Sequence, residues 1–137
     1  MKVLIDTNIL SDYLAVREPY FKDAQNIILA CCQGRIDGCI AAHSVCNMFY
    51  ILRSQMPEAT RRKALLWFCE ILTVIGVGKH KLAAALENQD FRDMEDCLQT
   101  ECAAEYSADY IVTRNTKDFE QSRVPAIEPG KLLEMIG

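Results

Sequence analysis

The feature that most constrains the fold is a short apolar run at residues 3–5, which stops at Asp6. A run of β-formers without polar alternation is typical of a strand that is covered on both faces, as in the middle of a parallel sheet. Ligands of open α/β sheets gather at the carboxyl ends of the strands, which is where Asp6 would lie. A purely structural interpretation also exists, because Asp6 or Thr7 could cap a helix at residues 8–14.

Strand-like and helical segments alternate along the rest of the sequence. Strands are predicted at residues 38–42, within 73–77, at 110–113 and at 124–127. Helices are predicted from Pro19 to a stop at Gln33-Gly34, after Ser44 as N-cap, from Pro57, at 81–86, at 94–106 and from Pro129. This alternation predicts an α/β fold with a parallel sheet of about four or five strands and helices on both faces. The length of 137 residues predicts one domain over residues 1–137.

Composition excludes several classes of protein. No apolar run has the length of a membrane span, and Asp6 interrupts the N-terminal run, so we expect a cytoplasmic protein with no membrane partner and no signal peptide. Seven cysteines without a C-x-x-C pair predict reduced thiols in the core rather than disulfides or zinc ligands. The net charge of −4 does not suit a protein that coats nucleic acid, so any such contact must be local.

Carboxylates follow two predicted strands and begin one predicted helix. Asp6 follows the first strand, Asp118 lies just beyond the strand at 110–113, and Asp96 borders the buried face of the helix at 94–106. Asp93 can cap that helix. Converging carboxylates repel each other, and a hard divalent cation such as Mg²⁺ or Mn²⁺ resolves the conflict because it prefers oxygen ligands. The sequence therefore predicts a metal site at this edge of the sheet.

Three motifs resemble those of the PIN-domain ribonucleases, which include the VapC-type toxins of toxin–antitoxin pairs. They are Val-Leu-Ile-Asp-Thr-Asn at 3–8, Asp-Met-Glu-Asp-Cys-Leu at 93–98 and Ile-Val-Thr-Arg-Asn-Thr-Lys-Asp-Phe at 111–119. The resemblance covers nearly the whole chain. It implies that Asp6, Asp96 and Asp118 are catalytic and bind metal, with Asp93 as a candidate further ligand. It also implies that the pocket is supported by Thr7, Asn8, Asn47, Thr113 and Asn115.

The resemblance implies a metal-dependent endoribonuclease that cuts single-stranded or structured RNA with Mg²⁺ or Mn²⁺. An antitoxin protein and a second copy of the chain are the implied protein partners. Arg114 and Lys117 flank the acidic edge and are the candidate contacts to RNA phosphates.

Two departures from the family pattern motivate an alternative function. Asn47 stands where the family usually has a glutamate, and Asn115 stands where many members have an aspartate. Each removes one negative charge, so the alternative is a degenerate PIN domain that binds RNA or protein without cutting. Asn47 is predicted to be the third residue of a helix capped by Ser44. A phosphatase with an aspartate nucleophile is a weaker third interpretation, because that chemistry requires an acid where Asn8 lies.

Overall fold

Five strands and seven α-helices alternate in the computed structural model, which describes residues 1–137. The strands are β1 (Lys2–Ile5), β2 (Asp37–Ala41), β3 (Thr73–Ile75), β4 (Tyr110–Val112) and β5 (Ala126–Ile127). The helices are α1 (Thr7–Leu14), α2 (Phe21–Cys32), α3 (Ala42–Ile51), α4 (Glu58–Ile71), α5 (Lys79–Glu87), α6 (Met94–Glu105) and α7 (Pro129–Ile136). Short 3₁₀ turns occur at Leu52–Ser54 and Thr116–Phe119.

The strands form one parallel sheet in the order β3-β2-β1-β4-β5. The central strand is β1, in which Val3 pairs with Gly38 of β2 and with Tyr110 of β4. The chain places β2 and β3 on one side of β1, and β4 and β5 on the other. The strand order therefore reverses between β1 and β4, which is the position where open parallel sheets bind their ligands. The predicted parallel α/β fold is confirmed.

Alternate residues of β1 face two separate layers of helices. Val3 and Ile5 belong to an apolar cluster that includes residues of α1, α2, α3, α4 and α7. Leu4 belongs to a second cluster with Cys102 and Ala103 of α6. Because both faces of β1 are covered, an unbroken apolar strand is favoured over an alternating one.

The start of α3 differs from the prediction. This helix begins at Ala42, so Ser44 is its third residue rather than its N-cap, and Asn47 is the sixth residue rather than the third. The reason is that β2 passes directly into α3 with no intervening loop, which leaves Ala41 at the cap position. Ser44 is fully buried, and its hydroxyl accepts a hydrogen bond from the Thr7 hydroxyl at 2.9 Å.

Proline and glycine residues mark several of the other helix boundaries. Pro57 directly precedes α4 and Pro129 opens α7, as predicted. Helix α2 begins at Phe21, two residues after the predicted start at Pro19. It ends at Cys32, two residues before Gly34, whose φ of +72° lies in the left-handed region that favours glycine.

All seven cysteines are free thiols in the structure. Their predicted placement in the core is only partly right, because Cys32, Cys46 and Cys69 lie on the solvent-facing sides of α2, α3 and α4. None of the helices combines the length and the apolar character needed to cross a membrane.

Candidate active site

Asp6 occupies the carboxyl end of β1 and is only 7% exposed. Its Oδ1 accepts a hydrogen bond from Gln99 Nε2 at 2.6 Å, and its Oδ2 accepts one from the Thr113 hydroxyl at 2.7 Å. Burial raises the pKa of Asp6, and these hydrogen bonds oppose that rise. Although Asp6 lies at the cap position of α1, its side chain makes no capping bond. The carboxylate is therefore held mainly by Gln99 of α6 and by Thr113, which directly follows β4.

The Thr113 hydroxyl connects Asp6 to two of the predicted pocket residues. It accepts hydrogen bonds from the backbone N–H of Asn115 at 3.0 Å and from Asn8 Nδ2 at 3.4 Å. The Oδ1 atom of Asn8 and the Oε1 atom of Gln99 are both buried without a hydrogen-bond donor. Two unused acceptor oxygens therefore belong to the side chains that surround the Asp6 carboxylate.

Asp96 lies in the first turn of α6, where several carboxylates converge. Burial raises its pKa from 3.8 to about 7, and the negative charges of Asp93, Asp6, Asp118 and Glu95 add to this effect. Asp93 has a structural task as well, because its side chain caps α6 by accepting the backbone N–H of Glu95 at 2.9 Å. The three acids predicted from sequence thus share one electrostatic environment.

Asp118 completes this acidic cluster from the 3₁₀ turn that follows β4. Its side chain is exposed, as is that of the neighbouring Lys117. Lys117 forms no ion pair, and both residues line two clefts. Lys117 is therefore a free cation beside the acids.

Asn47 and His43 of α3 approach the same region. Asn47 Nδ2 donates a hydrogen bond to Glu95 Oε1 at 2.6 Å. The Nε2 atom of His43 lies 3.8 Å from the same oxygen, which is too long for a hydrogen bond, and both ring nitrogens are buried without a partner. Burial lowers the pKa of His43, whereas the charges of Glu95 and Asp6 oppose that change.

Arg114, which follows β4, is bound to a buried aspartate of α1. Its Nε donates to Asp12 Oδ2 at 2.6 Å and its Nη2 to Asp12 Oδ1 at 3.2 Å, while Asp12 is fully buried. The Arg114 guanidinium also lies over the ring of Tyr20, at 4.0 Å from the ring centroid. The side chain is 27% exposed and stays at the surface, with two of its five N–H groups donating to Asp12.

The donor set suits a hard cation, although the side chains alone do not form a complete metal site. No three His, Cys, Asp or Glu side chains are gathered closely enough to hold an ion. Mg²⁺ needs only one or two carboxylates because it keeps several of its waters, and Asp6, Asp96 and Asp118 offer oxygen ligands of this kind. Burial is the main cause of the raised pKa of Asp96, and a cation would neutralise the negative charges that add to it.

Sequence reasoning missed three residues at this site. Gln99 follows Asp96 by three positions on α6, a spacing that places both on one helix face and could have identified it. His43 comes almost directly after β2, so the strand-end argument used for Asp6 also applies to it. Nothing in the sequence pattern pairs Asp12 with Arg114, since the two are 102 residues apart.

Comparison with known families identifies the domain. A family model described as PIN domain matches residues 2–117, which include every strand except β5 and end one residue before Asp118. Comparison with curated proteins gives no significant match.

Solved structures with the same fold cover nearly the whole chain. VapBC2 from Rickettsia felis bound to a promoter DNA fragment is similar at a TM-score of 0.66 and 18% identity, over 93% of this chain and 98% of that one. A toxin–antitoxin complex from Klebsiella pneumoniae gives 0.67 and 22%, over 93% and 97%. FitAcB from Neisseria gonorrhoeae gives 0.64 and 15%, over 93% and 98%. These likenesses show the fold, and the family match over most of the sequence shows that the chain belongs to the PIN-domain family.

Proposed function

We propose that this chain is a metal-dependent endoribonuclease that cuts single-stranded or structured RNA, with Asp6, Asp96 and Asp118 as its catalytic, metal-binding residues. The observation that carries the proposal is the convergence of these carboxylates, since the charges of Asp6 and Asp118 add to the burial that raises the pKa of Asp96 to about 7. Carboxylates that converge in this way destabilise one another unless a cation joins them. Membership of the PIN-domain family supports a nuclease rather than another use of such a site.

Mg²⁺ or Mn²⁺ would be held by Asp6, Asp96 and Asp118, with Asp93 and the unused Oδ1 of Asn8 as further oxygen ligands. When bound, the ion supplies Lewis acidity, which lowers the pKa of a bound water and offsets the negative charge of a phosphodiester.

The protein residues supply position and charge. Gln99 and Thr113 fix both oxygens of Asp6, so this carboxylate enters the reaction already oriented. Burial and the neighbouring acids raise the pKa of Asp96 to about 7, so this carboxyl can hold a proton when no cation is present. Lys117 is exposed and unpaired, so it offers a positive charge to phosphate oxygens at the acidic cluster. Arg114 has a smaller role in RNA binding, since its guanidinium already donates hydrogen bonds to Asp12.

Cleavage of a fluorescently labelled single-stranded RNA in Mn²⁺ tests the proposal. We expect EDTA and Asp6→Asn each to abolish cleavage. Asp37→Asn is the matched control, because Asp37 is an exposed aspartate at the opposite end of the parallel strands. Cleavage that survives both EDTA and Asp6→Asn would refute the metal mechanism.

The solved structures with this fold include toxin–antitoxin complexes, and on that basis we propose an antitoxin protein as partner and a toxin role for this chain. Co-expression of the chain with the product of a small neighbouring gene, followed by co-purification, tests this part. A homodimer belongs to the same proposal, and light scattering on a size-exclusion column measures it.

A second candidate function is favoured by one observation. Because no three acidic or imidazole side chains are gathered as a metal site, the domain could bind RNA without cutting it. Calorimetric titration with Mn²⁺ separates the two candidates: saturable binding that Asp96→Asn removes supports the nuclease, and absence of binding supports the non-catalytic module.

A further inference from the structure

A cleft of about 360 Å³ opens beside the acidic cluster and has no role in the proposed chemistry. Tyr20, Asp23, Arg114, Asn115 and Glu128 are among the residues that line it, and we call it the Tyr20 cleft. Three of them, Arg114, Asn115 and Glu128, also line the adjoining cleft that contains Lys117 and Asp118. A strand of RNA with a phosphate at Asp118 could therefore reach the Tyr20 cleft with the base of a neighbouring nucleotide.

The Tyr20 ring is a supported stacking surface. It is 44% exposed, and the Arg114 guanidinium lies 4.0 Å from its centroid. The guanidinium is in turn fixed by two hydrogen bonds to Asp12, which is fully buried. A ring held in this way loses little conformational entropy when a flat ligand stacks on its exposed part.

The polar groups of the cleft favour a base over a phosphate. Asp23 and Glu128 are exposed carboxylates whose side chains form no hydrogen bond or ion pair within the protein, so they are free acceptors with negative charge. The only cation that lines the cleft, Arg114, is already bound to Asp12. Negative charge repels phosphate, whereas carboxylates accept hydrogen bonds from the N–H groups of bases. Guanine suits this arrangement best, because its Watson–Crick edge presents two adjacent N–H donors.

We propose that the Tyr20 cleft is a nucleobase subsite that binds an unpaired guanine of RNA, with the base stacked on Tyr20 and its N–H groups directed to Asp23 or Glu128. Stacking on aromatic rings combined with hydrogen bonds to the base edge is how proteins read single-stranded RNA. This inference rests on the proposed function, since it assigns the substrate of the same site.

Fluorescence anisotropy with short uridine-rich RNAs tests the subsite independently of cleavage. The RNAs carry a single central guanine, adenine or cytosine, or no substitution, and are titrated in Ca²⁺. We expect the guanine RNA to bind about tenfold more tightly than the unsubstituted RNA, and Tyr20→Ala to remove about that factor. Tyr20→Phe should retain the preference because it keeps the stacking ring.

Tyr50→Ala is the matched control. Tyr50 is also exposed and also carries an arginine over its ring, with Arg53 at 3.8 Å, but it lines none of the three clefts described above. Equal affinity for all four RNAs, or unchanged binding by Tyr20→Ala, would overturn the proposal. Loss of the preference in Tyr20→Phe would do so as well, because it would assign recognition to the hydroxyl.

Cleavage mapping on a randomised single-stranded RNA in Mn²⁺ separates this inference from the proposed function. Cleavage by the wild type without preference for guanine at any position overturns the subsite alone. Binding that depends on Tyr20 without any cleavage overturns the nuclease and retains the subsite. If no RNA binds or is cut under either condition, both proposals fail.

Discussion

Replacement of Asp96 by asparagine should stabilise the metal-free protein at neutral and alkaline pH, although it removes a residue of the proposed active site. In the folded protein the pKa of Asp96 is raised to about 7, first by burial and then by the charges of Asp93, Asp6, Asp118 and Glu95. Above that pH the folded protein carries an ionised carboxylate in an unfavourable place. Asparagine has nearly the same shape and no charge, so it removes this cost.

The magnitude follows from the difference between the two pKa values. A rise from 3.8 to about 7 corresponds to about 4 kcal/mol if it is fully expressed in the free energy of unfolding. Asp96 is only half-buried, and solvent screening reduces this figure to about 1–2 kcal/mol. For a domain of 137 residues we therefore expect the Tm to rise by about 3–8 °C.

The direction of the pH dependence is fixed by linkage. Between about pH 3.8 and pH 7 the folded state binds more protons at Asp96 than the unfolded state does, so stability decreases as the pH rises through this window. Below the window both states are protonated and the penalty is absent. Above it the penalty is complete. The Tm difference between Asp96→Asn and wild type should therefore be near zero at the acidic end and largest above pH 7.

Thermal melts in EDTA and in Mn²⁺ measure these effects. Mn²⁺ should raise the Tm of the wild type, because the ion neutralises the converging charges, and should raise that of Asp96→Asn much less. Asp37→Asn serves as the control for the loss of an exposed aspartate. A lower Tm for Asp96→Asn in EDTA at pH 8, or a Tm difference that does not change with pH, would refute the account of the acidic cluster.

Four further outcomes are expected. Asp6→Asn and EDTA should each abolish RNA cleavage while Asp37→Asn retains it, as measured with labelled RNA. Tyr20→Ala should remove a tenfold preference for guanine that Tyr20→Phe keeps. Asn47→Glu should lower stability in EDTA by about 1 kcal/mol, because it replaces the hydrogen bond to Glu95 by repulsion, and Asn47→Ala separates the lost bond from the added charge in melts. Thiol titration should find Cys32, Cys46 and Cys69 reactive in the native protein and all seven cysteines reactive in guanidinium, whereas a lower count in guanidinium would indicate a disulfide.

The fold and the central acids follow from local sequence patterns. An unbroken apolar strand that ends at Asp6 and a second that ends just before Thr113 are sufficient to predict parallel neighbours with polar side chains at a common edge. The start of α3 was mispredicted because Ser44 has the side chain of a good cap. Its hydroxyl is instead used by Thr7, a contact that depends on how α1 and α3 lie together in the folded protein.

Partners far apart in sequence could not be predicted. The position of Arg114 beside an acidic edge suggests a phosphate contact, yet in the folded protein its guanidinium is bound to Asp12 of α1. The ion pair depends on the packing of α1 against the turn after β4, and no local pattern specifies that packing. For the same reason, the support that Arg114 gives to Tyr20 became visible only in the folded protein.

The departure at Asn47 does not leave the site short of negative charge. Glu95 of α6 lies within hydrogen-bonding distance of the Asn47 amide, so an acid from α6 stands beside the position where the family usually has a glutamate on α3. Glu95 is also one of the carboxylates that raise the pKa of Asp96. The amide at residue 47 therefore accommodates an acid that a glutamate there would repel. In the proposed metal site, Glu95 therefore supplies beside Asn47 the negative charge that the family usually carries on α3.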